Sequence, residues 1–194
     1  MKRWKTLTLL VGTVLFLLAL GVVMLASASS VRGDTFYYDA QFFLNRQLIW
    51  LVAALVAGIA AAWFDYRKLQ PYVWVIGAIA LLMLVLVLIP GIGKYIGGSR
   101  RWFRFGSLSF QPSEFAKVAM VIALAHWIAI AGPRMSEFRV GFLAPIIPLG
   151  IAWILVFMEP DLGTAVLLVV VGLLMLFLGG TRPLYLFGSV AIGV

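Results

Sequence analysis

Residues 71–89 read PYVWVIGAIALLMLVLVLI, a run that contains no charged side chain. An α-helix rises about 1.5 Å per residue and the hydrocarbon core of a bilayer is roughly 30 Å thick, so one crossing takes about 20 residues. The run therefore has the length of a membrane span. Pro90 follows it directly, and proline is poorly tolerated in a helix interior, so we expect the span to end there.

The composition of the whole chain agrees with the interpretation of residues 71–89 as a membrane span. Of the 194 residues, 64% are hydrophobic and 11% are charged, and the mean hydropathy is +1.10. Soluble domains carry about 25% charged residues, so the composition argues strongly against a soluble domain. Cysteine is absent and His126 is the single histidine. A disulfide framework is therefore excluded, and little room is left for a zinc site.

Charges and prolines divide the rest of the chain into further apolar runs. We predict an all-α fold: a polytopic transmembrane helical bundle with six full spans, the start of a seventh and a cytoplasmic N-terminus. The predicted spans cover about residues 7–28, 47–64, 71–89, 115–131, 140–158 and 162–178, and the seventh begins near residue 184. About 11 residues of that last run are present, too few to cross a bilayer. We therefore expect residues 1–194 to be a single, truncated transmembrane domain.

The first run has an alternative interpretation as a cleavable signal peptide. Three basic residues, Lys2, Arg3 and Lys5, precede an apolar stretch that ends near the small residues 26–28, which is the order found in signal peptides. The apolar stretch is about 20 residues long, whereas signal peptides usually have about 7–15. The length favours an uncleaved first span.

Lysine and arginine indicate the orientation, because cytoplasmic loops carry an excess of both. With a cytoplasmic N-terminus, the inside segments hold eight of them: Lys2, Arg3, Lys5, Arg67, Lys68, Arg134, Arg139 and Arg182. The outside segments hold seven: Arg32, Arg46, Lys94, Arg100, Arg101, Arg104 and Lys117. Five of these seven lie in the single segment 94–117, so the exception to the rule is local. A partner that carries phosphate would explain it. An inverted topology is the alternative, and the N-terminal basic cluster argues against it.

The first half of this basic loop combines arginines with aromatic residues. Residues 98–106 read GSRRWFRFG and include Arg100 and Arg101. Aromatic side chains suit the headgroup region of a membrane, and a guanidinium group can hold phosphate oxygens in a bidentate way. The pattern therefore predicts a site for an anionic headgroup at the membrane surface.

The second half of the loop contains a possible ion pair at the start of a helix. Residues 109–117 read SFQPSEFAK. Pro112 is suited to the first turn of a helix, and a carboxylate such as Glu114 is favoured in that turn by the helix dipole. Glu114 and Lys117 are three residues apart, so we expect them to share a face and to pair.

A second group of polar residues, EPDLGT, occupies positions 159–164. With the topology above it lies on the same outer side as the basic loop. Asp161 could cap the sixth helix. It could instead meet Glu114 and Lys117 in one cavity that opens outward, since ionisable groups near the ends of spans are functional candidates. Spacing alone leaves both interpretations of Asp161 open.

Several of these stretches resemble the signature sequences of the SEDS family, the shape, elongation, division and sporulation proteins of the FtsW/RodA/SpoVE type. The similar stretches are GSRRW (98–102), SFQPSEFAK (109–117) and EPDLGTA (159–165). VMLASAS (23–29) and FLNRQ (43–47) are also similar and favour the FtsW branch. The resemblance extends over essentially the whole chain but reaches only the N-terminal half of the family's ten-span fold.

The resemblance implies a peptidoglycan glycosyltransferase of the bacterial plasma membrane. Such an enzyme polymerises lipid II, a disaccharide-pentapeptide on an undecaprenyl pyrophosphate carrier, during cell division or cell-wall elongation. The implied partners are a class B penicillin-binding protein and other divisome or elongasome proteins, without nucleic acid, and the implied cofactor is a divalent cation, Mg or Mn. The alternatives are a lipid II flippase and a truncated, non-catalytic remnant that binds a partner.

The resemblance also assigns roles to positions that match the family motifs. The residues implied as catalytic are Glu114, Lys117 and Asp161, which are expected to line a supporting cavity. The family's catalytic aspartate itself is expected beyond residue 194. The implied substrate-binding residues are Arg100, Arg101, Gln111 and Ser113. Glu159 stands where the family more often has glutamine. With Asp161 it forms a candidate oxygen-ligand site for a cation of the Mg²⁺ type.

Overall fold

The computed structural model describes the backbone of residues 2–37, 42–96, 98–106 and 108–193. Its α-helices are α1 (Lys2–Tyr37), α2 (Phe42–Trp63), α3 (Val73–Leu88), α4 (Pro112–Ala131), α5 (Ala144–Met158), α6 (Leu162–Leu178) and α7 (Pro183–Gly193). Three short strands lie between α3 and α4: β1 (Lys94–Ile96), β2 (Ser99–Phe105) and β3 (Leu108–Phe110). Two 3₁₀ segments, Tyr66–Tyr72 and Gly132–Ser136, and one π-helix, Phe138–Leu143, complete the described elements.

The described residues contain five helical segments that are long and apolar enough to cross a membrane. They are Trp4–Ser27, Leu44–Trp63, Tyr66–Leu88, Pro112–Ser136 and Phe138–Met158. The apolar helix α6 has 17 residues, about 26 Å of helix, and is shorter than these five. The predicted polytopic helical membrane fold is confirmed, with the sixth predicted span present as a helix of less than full crossing length.

The chain divides into two compact units, Met1–Asp65 and Tyr66–Val194. In the first unit α1 and α2 pack against each other. None of the residues in the most apolar part of either helix is buried inside the protein. Lipid chains are as apolar as leucine, so such helices can leave these side chains unburied. The prediction of one transmembrane domain over the whole chain stays a prediction.

The second unit is held together by alanine-rich contacts among α3, α4, α5 and α6. Five of the nine residues in its main buried cluster are alanines; the nine are Ala80, Leu84, Ala116, Ala119, Leu149, Ala152, Val156, Ala165 and Leu168. Small side chains let membrane helices approach closely, and dispersion contacts then stabilise the packing. Gly172 shows how close α5 and α6 are, because a Cβ there would lie 2.6 Å from Leu149 Cδ2.

The start of α5 departs from regular α-helix for an identifiable reason. Pro145 has no N–H, so the carbonyl of Gly141 lacks the donor it would receive in an α-helix. Ala144 N–H bonds to Arg139 O in the π-helical pattern, which leaves the carbonyl of Val140 without that donor as well. Trp127 Nε1 donates to Val140 O at 3.0 Å, and Thr181 Oγ1 donates to Gly141 O at 2.8 Å. Two side chains from other elements thus replace the missing backbone donors.

The basic loop predicted between α3 and α4 is folded into a three-stranded antiparallel sheet, in the order β1-β2-β3. Gly98 and Gly106 lie in the two connections with φ of +90° and +60°, values that glycine adopts without steric cost. Side chains alternate across β2, so Ser99 and Phe103 are buried whereas Arg104 is exposed. The sequence predicted a loop here and no sheet; two of the three strands, β1 and β3, have only three residues each.

Candidate functional site

The sheet and three helix ends meet at one end of the second unit, which we call the sheet end. Strand β3 leads through Gln111 into α4, α5 ends at Met158, and α6 begins after Asp161. β2 packs against both α3 and α4. The two groups of polar residues predicted from the sequence are therefore brought to the same end of the same unit.

Asp161 is the centre of the hydrogen bonding at the sheet end. Its Oδ1 accepts from Thr164 N–H at 3.1 Å, and its Oδ2 accepts from Thr164 Oγ1 at 2.9 Å. Oδ2 also accepts from Gln111 Nε2 at 2.9 Å and lies 3.8 Å from Arg101 Nη1. Asp161 thus caps α6, as one interpretation of the spacing had it, and also joins the basic segment to that helix through Arg101 and Gln111.

Gln111 links the end of β3 to two other parts of the site. The same Nε2 group that donates to Asp161 also donates to Ser113 Oγ at 2.9 Å. An amide group has two N–H donors, so both bonds can exist at once. Ser113 is completely buried, and this bond satisfies its hydroxyl. Two residues predicted to bind substrate therefore also hold the site together.

Glu114 and Lys117 form the predicted ion pair, with Lys117 Nζ 2.8 Å from Glu114 Oε1. The pair is partly solvent-exposed, since 58% of the Glu114 side chain is accessible. Asp161 forms its ion pair with Arg101 rather than with Lys117 among the described residues. The three candidate catalytic residues therefore divide into a buried cluster around Asp161 and a neighbouring surface pair on α4.

The two predicted phosphate-binding arginines are in different positions. They are consecutive on β2, so their side chains leave opposite faces of the strand. Arg101 reaches Asp161, whereas Arg100 lies opposite Tyr95 of β1. About 31% of the Arg101 side chain is accessible. This guanidinium is accordingly anchored at one nitrogen and open to a ligand elsewhere.

Glu159 is the most unusual side chain of the site. It follows the last residue of the Phe138–Met158 span and is fully buried, and neither carboxylate oxygen has a hydrogen-bond partner among the described residues. Burial raises the pKa of Glu159 from 4.5 to about 8; the negative charge of Asp161 adds to this rise and the Arg101 guanidinium opposes it. Glu159 is therefore mostly protonated at neutral pH.

The predicted cation site was considered against these contacts. The two unpartnered oxygens of Glu159 fit a metal ligand, whereas both oxygens of Asp161 already accept hydrogen bonds. In the described ranges no group of three or more His, Asp and Glu side chains is arranged to hold a metal. Two carboxylates suit an ion of the Mg²⁺ type only if water or substrate phosphate supplies the other ligands. The cation stays a prediction.

Sequence reasoning missed two polar residues of the site. Thr164 donates both its backbone N–H and its hydroxyl to Asp161, and its position three residues after a capping aspartate is a signal for this contact. Ser99 is 5% exposed, and its hydroxyl has no partner among the described residues. No spacing in the sequence indicates that burial, which depends on how β2 packs against the helices.

Comparison with known protein families places these residues in context. The family model for FtsW, RodA and SpoVE, described as "Cell cycle protein", matches residues 7–194. The probable peptidoglycan glycosyltransferase FtsW of Trichlorobacter lovleyi is 37% identical over 176 residues, which cover 91% of this chain and 46% of that protein. The chain thus spans about half the length of the curated relatives it matches.

Solved structures show the same fold. The rod shape determining protein RodA of Thermus thermophilus matches with a TM-score of 0.66 and 28% identity, over 87% of this chain and 56% of that one. A chain from a peptidoglycan synthase complex, described as coordinating polymerization and crosslinking, matches with a TM-score of 0.68 and 28% identity. That match covers 90% of this chain and 52% of the other.

Proposed function

Because this chain belongs to the FtsW/RodA/SpoVE family, which is the SEDS family its motifs resemble, we propose that it serves as a peptidoglycan glycosyltransferase. The proposed reaction is the polymerisation of lipid II into glycan strands during cell division or cell-wall elongation. The observation that carries the proposal is the ion pair between Arg101 and Asp161 at the sheet end of apolar helices. An exposed cation at that position suits a pyrophosphate headgroup whose lipid remains in the membrane.

The chemical role proposed for this end is to bind and stabilise negative charge. Transfer of a sugar from a lipid pyrophosphate leaves charge on the departing phosphate oxygens, and preorganised donors at that position lower the barrier. Arg101 supplies a partly exposed guanidinium, and Arg100 on the same strand and Lys117 on α4 add positive charge. Asp161, which accepts a hydrogen bond from Gln111, keeps Arg101 in place.

A cavity beside the site supports a substrate with a lipid portion. Its volume is about 350 Å³, and its lining from α3, α4 and α5 is almost wholly apolar. It extends along α4 from Ala116 to Trp127. Lys117 lines a separate, mainly apolar cavity of about 240 Å³ between α4 and α6. An apolar space that begins beside a cationic site would accommodate part of a hydrocarbon chain while its headgroup reaches Arg101.

We place the protein in the bacterial plasma membrane as a multi-pass protein with the sheet end outside. Apart from the segment 94–117, the predicted inside segments hold eight lysines and arginines and the outside segments hold two, which supports this orientation. A class B penicillin-binding protein, with other divisome or elongasome proteins, is the proposed partner, because a structural neighbour belongs to a peptidoglycan synthase complex. A divalent cation near Glu159 and Asp161, Mg or Mn, is the proposed cofactor.

The test is polymerisation of lipid II supplied from outside to proteoliposomes that contain the purified protein. We expect Arg101→Ala to abolish polymer formation while the protein still inserts. Arg104→Ala is the matched control, because Arg104 lies on the same strand but donates its Nε–H to Gly106 O and is exposed. Undiminished polymer from Arg101→Ala would refute the proposed role of this residue.

The same preparation separates the alternative functions. A flippase would move labelled lipid II across the bilayer without joining the sugars. A non-catalytic partner-binding protein would do neither, yet it would still be recovered with the transpeptidase. Either result contradicts the proposed glycosyltransferase activity.

A further inference from the structure

Four buried polar atoms at the sheet end lack a hydrogen-bond partner among the described residues. They are Ser99 Oγ, Arg101 Nε and both carboxylate oxygens of Glu159. Ser99 and Arg101 are two residues apart on β2, so their side chains leave the same face of the strand. Burying a polar group without a partner is costly. Four such atoms at the same end of the unit therefore suggest that they share a bridging partner.

The unpartnered atoms are chemically complementary. Arg101 Nε carries one N–H donor, Glu159 supplies acceptor oxygen and, when protonated, one O–H donor, and the Ser99 hydroxyl can donate or accept. Asp161, two residues after Glu159, lies 3.8 Å from Arg101 Nη1, so Glu159 is near the same guanidinium. The structure has no direct bond among these atoms, and one buried water, which commonly joins two to four polar groups, would satisfy them.

The guanidinium of Arg101 is rigid and planar, so contacts at two of its nitrogens fix where the remaining edge faces. Nη1 lies 3.8 Å from Asp161 Oδ2, and Nε is buried. About 31% of the side chain as a whole is accessible. One carboxylate at Nη1 leaves the fork free to rotate about that contact, whereas a second acceptor at Nε removes this freedom.

We propose that Glu159 is a positioning residue that is linked to Arg101 Nε through one buried water, shared with Ser99, and so turns the free edge of Arg101 toward an anionic ligand. Asp161 and Glu159 then hold two edges of one guanidinium. The ligand class, a lipid-linked pyrophosphate, rests on the proposed function; the contact between Glu159 and Arg101 does not.

A positioning residue and a metal ligand at position 159 would tolerate different substitutions. Glu159→Gln keeps a carbonyl oxygen that can accept from the bridging water, but it removes the negative charge that a divalent cation prefers. Glu159→Ala removes the acceptor altogether. Both variants should fold, because each removes a carboxyl group whose ionised form is costly to bury. The glutamine variant therefore distinguishes positioning from metal binding.

The contact itself is tested by hydrogen exchange of the arginine Nε–H groups in protein labelled with ¹⁵N-arginine in detergent micelles. Arg101→Lys identifies the Arg101 resonance. We expect this Nε–H to exchange slowly in the wild type and in Glu159→Gln, and about tenfold faster in Glu159→Ala. Glu137→Ala is the matched control, because Glu137 is exposed and pairs with Arg134 instead. Equal exchange in the wild type and in Glu159→Ala would overturn the proposal.

The consequence for the ligand is tested by the binding of undecaprenyl pyrophosphate to the protein in nanodiscs, with EDTA and with Mg²⁺. We expect Glu159→Ala to weaken binding about tenfold and Glu159→Gln to change it little in both conditions. In an Arg101→Ala background, Glu159→Ala should have no further effect.

The possible failures of this binding experiment are distinguishable. If Arg101→Ala leaves the affinity unchanged, the proposed pyrophosphate site is wrong, although the exchange experiment can still establish the contact. If Glu159→Gln loses binding as fully as Glu159→Ala and only with Mg²⁺ present, Glu159 ligates the cation and the positioning role is refuted.

Discussion

At the scale of single residues, the two carboxyl groups of the site, Asp161 and Glu159, differ in their hydrogen-bond partners. Asp161 accepts hydrogen bonds from Gln111 and Thr164 and forms an ion pair with Arg101, whereas Glu159, two residues earlier, has no hydrogen-bond partner among the described residues. The two neighbouring carboxyl groups are therefore in opposite situations, because Asp161 has hydrogen-bond donors and burial raises the pKa of Glu159. Such divergent environments are typical of functional sites.

The buried carboxyl of Glu159 should make stability depend on pH. Its pKa is about 8 in the folded protein and 4.5 without burial, so the folded state binds the proton more tightly. Stability should then fall as the pH rises from about 4.5 toward about 8. Glu159→Gln removes this dependence and should exceed the wild type in melting temperature at pH 8 but not at pH 5. Melting curves in detergent with EDTA check this, and parallel curves for the two proteins would contradict it.

Asp161 caps α6 and also carries a charge that faces Arg101. Two substitutions should separate these two contributions. Asp161→Asn keeps an oxygen that accepts from Thr164 N–H but removes the charge that faces Arg101, so we expect a stability loss below about 1 kcal/mol with lipid II polymerisation abolished. Asp161→Ala should also lose the cap, at about 1–2 kcal/mol. Denaturation and polymerisation assays measure the two effects. Full activity of Asp161→Asn would show that Asp161 acts only as a cap.

At the scale of elements, the start of α5 is the part of the second unit where the backbone depends most on distant side chains. The π-helix and Pro145 leave the carbonyls of Val140 and Gly141 without backbone donors, and Trp127 and Thr181 supply replacements. Thr181 is 2% exposed, so water cannot readily take its place. The junction between α4 and α5 is therefore fixed by α4 on one side and by the turn before α7 on the other.

Removal of the Thr181 hydroxyl should destabilise this junction. Thr181→Val has nearly the same shape but leaves the buried Gly141 carbonyl unpaired, which costs about 1–3 kcal/mol. Thr181→Ser retains the hydroxyl and serves as the control. Thermal unfolding of both variants in detergent provides the measurement. Similar melting temperatures for the valine and serine variants would mean that the hydrogen bond contributes little.

At the scale of the whole molecule, the orientation in the membrane decides whether the sheet end can reach an extracellular substrate. The chain has no cysteine, so single cysteines can report each side without background labelling. Tyr95 on β1 is 68% exposed, and Ser136 lies beyond the opposite end of α4. With intact cells, we expect a membrane-impermeant maleimide to label Tyr95→Cys but to label Ser136→Cys only after permeabilisation. The reverse pattern would establish the inverted topology.

The sequence by itself determined those features that depend on neighbouring residues. The apolar runs fixed the membrane helices because each run supplies its own length and its own hydrophobicity. Pro112 in the first turn of α4 and the pair between Glu114 and Lys117 follow from spacing within one helix. The motifs also identified the family, which the family match to residues 7–194 confirmed.

Only the tertiary structure decided which of the predicted side chains meet. Gln111 and Asp161 are 50 residues apart, and Thr181 and Gly141 are 40 apart; no spacing rule relates such positions. The burial of Glu159 likewise depends on how helices and sheet close around the end of α5. These contacts arise from packing between elements, which sums many weak interactions over distant parts of the chain. Local periodicity therefore locates the helices, whereas the environment of each charge is set only when they pack.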